Sequence, residues 1–391
     1  MEAYIINGYR SAVGKSKKGG FRFYRPDDLA ADVIKHLVAN TPGLETKMVD
    51  DLIVGNAVPE AEQGMQMGRM ISLLALGIEN PGFIINRYCG SGLEAIALAV
   101  GKIKAGMADC IIAGGTESMS LVPMMGYKTA LNYKIATEHP SYYISMGLTA
   151  EELAKEYSIT REEADAFSVR SHEKALAAIA AGKFKDEIVP VEVEETYLDE
   201  KGKKKTRKFT VDTDEGPRAG TTMEVLASLK PAFKNGGQVT AGNSSQTSDG
   251  AAFVVVMSER LMKSLNLDPV ARLMSYSVAG VDPRIMGIGP REAVPKALKQ
   301  AGLTLNDIDL VELNEAFAAQ GLAVMKSLDM NPDIVNVNGG AVALGHPLGC
   351  TGGKLSVQIF NELRRQNKKY GLVTACVGGG QGVAGIYELL K

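Results

Sequence analysis

An internal repeat constrains this chain more than any other feature. The run DDLIVGN ends at Asn56, and DLVELN ends at Asn314. From Asn56 to Cys89, in NRYCGSGLEA, is 33 residues; from Asn314 to His346, in ALGHPLGCTGGK, is 32. Each is followed by a Gly-rich turn, a helical pattern and a short apolar run ending in glycine, IIAGG and LVTACVGGG respectively. The same features in the same order imply two similar α/β halves. Such symmetry would set Cys89 and His346 on equivalent loops that meet at a shared centre.

Within the halves, strands and helices alternate. Ala3 to Asn7 reads as a strand, and a helix is expected from Asp27. Residues 51–58, 83–89 and 109–115 read as strands by length and punctuation, while Leu93, Ile96, Ala97, Val100 and Ile103 share one helical face. Strand, helix and strand in close succession predict a parallel α/β layer. From Met119 to Asn243 charges thicken, and a helix opens on a Thr160–Glu163 capping box. KGKKKTRK (201–208) reads as a solvated basic loop, with attraction of a ligand's phosphates as the minority reading. The sheet pattern returns at AAFVVVMS (251–258). The expected organisation is a first half of residues 1–118 plus 244–265, an inserted segment 119–243, and a second half 266–391.

Composition narrows the function. With 43 basic against 45 acidic residues, bulk charge offers nothing to nucleic acid or an anionic membrane. There is no Trp and only 6% aromatic residue, so the core must be aliphatic. Four cysteines without a CxxC pair predict a reduced chain and no metal site. No apolar run approaches the roughly 20 residues of a membrane span, and neither terminus reads as a targeting signal. A soluble, cytoplasmic protein is expected.

Cys89 is the first candidate for chemistry. It is expected at a strand end before a helix, where Ser91 and Glu94 fit a capping box and the helix dipole favours thiolate. His346, framed by Gly345, Pro347 and Gly349, is the candidate base. His36 and His172 fall within helices and His139 in a charged loop. Cys376 meets Gly378, Gly379 and Gly380 and is a plausible proton donor; Cys110 and Cys350 read as structural. Two nucleotide motifs fail. GQGVAG (380–385) has only six residues after it, and GCTGGK lacks the first P-loop glycine and the final Ser or Thr.

Taken together, NRYCGSGLEAI, AGGTESMS, NEAFAAQ, NVNGGAVALGHPLGCTGGK and CVGGGQG resemble the thiolases, and the resemblance runs over essentially the whole chain. It implies a five-layered αβαβα fold of two similar halves with an inserted loop domain. It implies Cys89 as acyl-accepting nucleophile, His346 as its base and Cys376 as acid/base. Asn314 would hold a water beside His346, and the N–H groups of Cys89 and Gly378 would form a second oxyanion hole. Arg218 and Ser245 would contact coenzyme A, a co-substrate and not a resident cofactor, while Met146 and Phe317 would contact substrate. The implied reaction cleaves 3-ketoacyl-CoA with CoA to acetyl-CoA and a shortened acyl-CoA, as in fatty acid β-oxidation, and reverses as a Claisen condensation. Biosynthetic relatives carry a His where this chain has Ser145; with AEQG (61–64), that favours the degradative type over an acetoacetyl-CoA-forming acetyltransferase. A ketoacyl synthase, an inactive CoA or lipid binder and a nucleotide-dependent oxidoreductase are the competing readings. The family's habit implies a homodimer or homotetramer.

Overall fold

The computed structural model describes residues 2–390. Its main strands, in chain order, are β1 (Ala3–Ser11), β2 (Asp51–Gly55), β3 (Phe83–Ile85), β4 (Cys110–Ser118), β5 (Ser248–Ser258), β6 (Ala271–Gly280), β7 (Leu310–Leu313), β8 (Tyr370–Val377) and β9 (Gln381–Leu389). They form one hydrogen-bonded path in the order β7-β8-β9-β6-β1-β5-β4-β2-β3. Outward from the middle, the first half reads β1, β5, β4, β2 and the second reads β6, β9, β8, β7. In each, the last two strands are parallel and the others antiparallel. The halves join through the pairing of Ile5 with Ala271. The repeat is therefore real at the level of strand order and direction.

Strand alternation builds the layers, because neighbouring residues face opposite sides of a sheet. In β4, Cys110 and Ile112 pack with helices α1 (Pro26–Ala39) and α2 (Met67–Ala75), whereas Ile111 and Ala113 face α3 (Ser91–Lys104). In β8, Leu372 packs with α4 (Gly289–Ala301) and α5 (Ala318–Leu328), whereas Val373 and Ala375 turn towards α6 (Thr351–Gln366). Helices α3 and α6 thus lie between the two sheet halves and share one aliphatic cluster with both. This is the αβαβα arrangement. The two central helices approach closely because their first turns carry glycine: a Cβ on Gly92 would lie 2.7 Å from the Gly353 nitrogen, and one on Gly352 would lie 2.2 Å from that of Leu93.

The chain between β4 and β5 forms the insertion. Its longest helix, Arg161–Ala180, opens on the expected box: Glu163 N donates to Thr160 Oγ1, and Thr160 N donates to Glu163 Oε2. Met146 and Leu153, on the helix Met146–Glu156, carry the insertion onto the second half. The basic run is not the expected loop. Lys204–Val211 pairs antiparallel with Val191–Leu198, and Arg207 and Lys208 form ion pairs with Glu195 and Glu194. Val191, Val193 and Val211 are buried and root that hairpin in the apolar cluster that also holds α1 and α2. Arg10 of β1 also ties the insertion down, through buried pairs with Asp214 and Glu187. Among the described residues no helix is long and apolar enough to cross a membrane.

Candidate active site

Cys89 does not end a strand. β3 stops at Ile85, and Cys89 is the middle residue of a 3-10 turn, Tyr88–Gly90, that leads directly into α3. Tyr88 holds a left-handed φ of 41°, uncommon for a side chain of its size. The expected capping box is absent. Ser91 Oγ instead donates to Tyr88 O at 2.7 Å and accepts from Arg87 N at 2.9 Å, which closes the turn. Glu94 is taken by Arg87 and by the Tyr276 hydroxyl. Cys89 is half-buried, and the other three cysteines are buried. Burial pushes its thiol up to about 12, against the pull of the Gly378 and Cys89 backbone N–H groups that point at it. The helix N-terminus therefore does not make a resting thiolate: desolvation wins.

His346 sits on the equivalent loop of the second half, three residues before Gly349, the position that matches Cys89. It precedes a second 3-10 turn, Leu348–Cys350, which leads into α6 and packs against the Cys89 turn. Its Nδ1 lies 2.6 Å from Thr351 Oγ1, and that hydroxyl donates to Pro347 O at 2.9 Å. With its only proton committed, Thr351 must accept, so Nδ1 carries the imidazole proton and Nε2 is the basic nitrogen. Asn314 Nδ2 lies 3.3 Å from Nε2. Burial, then the charge of Lys354, hold the imidazole down to about 3. The pair at rest is thus a neutral thiol and a neutral base.

Cys376 completes the group from β8. It is fully buried, and burial followed by the charge of Cys89 pushes its thiol well up, which puts the two sulfurs within electrostatic reach. Met146, Ala316 and Phe317 pack in the same apolar cluster. A Cβ on Gly378 would lie 3.7 Å from Met146 Sδ and 3.6 Å from Tyr88 Cδ2, so this glycine separates the two side chains. Asn314 is 1% exposed, and its Oδ1 accepts no hydrogen bond from the described residues. Ser245 is half-buried, with its nitrogen donating to Ala316 O at 3.0 Å, and Ser244 bridges Phe317. Arg218 is exposed and further out, its backbone N–H donating to Nδ1 of the buried His172. Cys89, His346, Asn314, Gly378, Cys376, Met146 and Phe317 are brought together; Ser245 adjoins them, and Arg218 stands off at the surface.

Sequence reasoning missed three supports. Thr351 fixes the tautomer of His346. Gln246 donates to Gly216 O and Ala343 O, and its carbonyl accepts from His346 N, so it joins the insertion to the histidine loop. Glu117, inside the quoted AGGTES motif, is 1% exposed and accepts four hydrogen bonds. Ala57 N and Gly349 N each lie 2.8 Å from Oε2, Gln63 Nε2 lies 2.8 Å from Oε1, and Asn56 Nδ2 lies 3.2 Å from Oε1. Desolvating a carboxylate costs several kcal/mol. Burial therefore raises the Glu117 carboxyl above its ordinary range, while the donors pull it back down. A donor pattern complementary to an anion was the one available signal, and its partners are too distant in sequence to reveal it.

Comparison with known proteins agrees with the two-half fold. Family profiles described as "Thiolase, N-terminal domain" and "Thiolase, C-terminal domain" match residues 3–260 and 267–389. A Bacillus subtilis protein named 3-ketoacyl-CoA thiolase is 53% identical over 389 residues, covering 99% of each chain. A Pseudomonas aeruginosa protein named acetyl-CoA acetyltransferase is 45% identical over 397 residues, covering 98% of each. The crystal structure of the Bacillus anthracis acetyl-CoA acetyltransferase matches with a TM-score of 0.89 and 40% identity, over 100% of this chain and 99% of that one. With two half-profiles and full-length relatives in agreement, the chain belongs to the thiolase family.

Proposed function

We propose that this enzyme is an acyltransferase that cleaves 3-ketoacyl-CoA with CoA, giving acetyl-CoA and a shortened acyl-CoA. The observation that carries the reading is the convergence of two thiols and a neutral imidazole from opposite halves of the fold. Cys89 Sγ attacks the 3-keto carbon and its proton passes to His346 Nε2. A carbonyl oxygen bonded next to Sγ falls beside the N–H groups of Cys89 and Gly378, which already face the sulfur. Breaking the bond between the second and third carbons leaves acyl-Cys89 and the enolate of acetyl-CoA. The protonated Nε2, together with a water held by Asn314 Oδ1, stabilises the enolate oxygen, and Cys376 protonates its carbon. Cys376 then takes the proton of the incoming CoA thiol, which attacks acyl-Cys89; the departing sulfur recovers its proton from His346. Protons and electrons balance, and run backwards the steps are a Claisen condensation.

Met146 and Phe317 would line the acyl side, and Arg218 and Ser245 would meet CoA. Ser145, the exposed residue at the N-terminus of the helix Met146–Glu156, supports the degradative reading and a place in fatty acid breakdown. The acetyltransferase names of the P. aeruginosa and B. anthracis relatives favour a second reading, synthesis of acetoacetyl-CoA. We also infer self-association: Met70, Leu73, Leu74 and Ile78 are exposed on and after α2, beside the sheet edge β3. The test is acetyl-CoA release from a ladder of 3-ketoacyl-CoA esters with free CoA. Turnover rising beyond the four-carbon substrate supports the degradative reading, turnover confined to acetoacetyl-CoA supports the second, and silence along the ladder overturns both.

A further inference from the structure

The repeat has a consequence at the active site. Leu52 pairs with Ile112 between β2 and β4, and Leu310 pairs with Gly371 between β7 and β8. Counting on from these equivalent pairs sets Asn56 over Asn314 and Glu117 over Cys376. The next strand agrees, since Glu117 pairs with Gly250 and Cys376 with Gly382. Cys89 and Gly349 are likewise the middle residues of equivalent 3-10 turns. The active site thus uses the first half's turn with the second half's strand ends. Its symmetry mate uses the second half's turn with the first half's strand ends, and there Glu117 meets Gly349 as Cys376 meets Cys89.

We propose that Glu117 is a positioning residue, occupying the symmetry-related counterpart of the active site and clamping the Gly349 turn so that His346 is held against Cys89. Every partner it has is a donor: two backbone N–H groups on Oε2 and two side-chain amides on Oε1. That donor set fits a carboxylate, although burial pushes the carboxyl up. One oxygen bridges the halves, Ala57 N from the first and Gly349 N from the second, each at 2.8 Å. The turn has no slack to take up if this bond goes. A Cβ on Gly349 would lie 2.6 Å from Asn56 Cα, and one on Gly115 would lie 2.0 Å from Gly349 O. Gly349 is three residues after His346 and two before Thr351, the residue that fixes its tautomer. Gln63 holds the far side of the clamp, donating to Glu117 and to Val58 O while accepting from Ser118 N.

The proposal deepens the thiolase reading and rests on it. The test compares Glu117→Gln and Glu117→Asp with the parent, per folded molecule counted by thermal unfolding. In Glu117→Gln, kcat for acetoacetyl-CoA thiolysis is expected to fall at least tenfold while KM for both substrates stays within twofold. Glu117→Asp, which keeps the charge, is expected to fall between that variant and the parent, and it carries the test if the first does not fold. Equal kcat per folded molecule in the variants and the parent would overturn the proposal. Cys89 alkylation by iodoacetamide needs no acyl-CoA, so it separates failure here from failure of the thiolase reading. It is expected to slow at least fivefold in Glu117→Gln; an unchanged or faster rate would show that the residue acts only through its charge, or not at all.

Discussion

At the scale of single residues, the centre is governed by burial rather than by formal charge. The Cys89 thiol is pushed up to about 12 and the His346 imidazole down to about 3, so no ion pair forms between them at rest. The sign of the pH dependence follows. A preformed thiolate–imidazolium pair would give Cys89 alkylation a flat rate across neutrality, whereas a desolvated thiol gives a rate that keeps climbing, roughly tenfold per pH unit, through pH 9. We expect the climb, and a plateau between pH 6 and pH 8 would contradict it. Asn314 offers the second check. Its buried Oδ1 accepts no hydrogen bond from the described residues, and losing one oxyanion contact typically costs about 3–4 kcal/mol. Asn314→Ala should therefore lower kcat by roughly a hundredfold or more, with KM little changed, as read by steady-state thiolysis. Cys89 and His346 were legible in the sequence because glycine turns and helix starts frame them. The left-handed Tyr88 and the failed Ser91–Glu94 box were not, because Arg87 and Tyr276, each reaching Glu94, settle that turn's hydrogen bonds through tertiary contacts.

At the scale of elements, the two central helices do the positioning. Helices α3 and α6 begin where the Cys89 and His346 loops end, and their glycines let the first turns touch. An extra methyl there has nowhere to go, and overpacking of this kind costs typically 1–3 kcal/mol. Gly352→Ala is expected to lower the unfolding temperature and to reduce kcat together, measured by calorimetry and thiolysis; a variant as stable and active as the parent would show that the close approach carries no weight. The apolar face of α3 and the short apolar run that becomes β4 could be read directly from the sequence. The basic run could not. Its charges suggest a loop, but Glu194 and Glu195 on the opposing strand answer them, and the valines below decide the hairpin.

For the whole molecule, the repeat places the Cys89 loop on one half and the His346 loop on the other, so the candidate centre exists only when the halves are docked across α3 and α6. That docking has a pH signature. His172 is held down to about 4 and His346 to about 3, both by burial first. An unfolded imidazole takes up its proton near 6.5, so between pH 6.5 and about 4 the unfolded chain binds more protons and stability falls as pH drops, by about 1.4 kcal/mol per unit for each histidine. Buried carboxyls oppose them: burial lifts that of Asp249 to about 6 in the folded state and also raises those of Glu312, Glu315, Glu187 and Glu117. The expectation for His172 itself is that His172→Gln loses less of its midpoint than the parent between pH 6.5 and about 4; parallel slopes in parent and variant would remove His172 as a cause. The measurement that tests the central claim most directly is rapid quench of the enzyme with acetoacetyl-CoA in the absence of free CoA, followed by peptide mapping by mass spectrometry. An acetyl group on the Cys89 peptide, cleared by added CoA and absent from Cys89→Ala, is the expected result. Turnover with no acyl group on Cys89, or with the group on another residue, would contradict it.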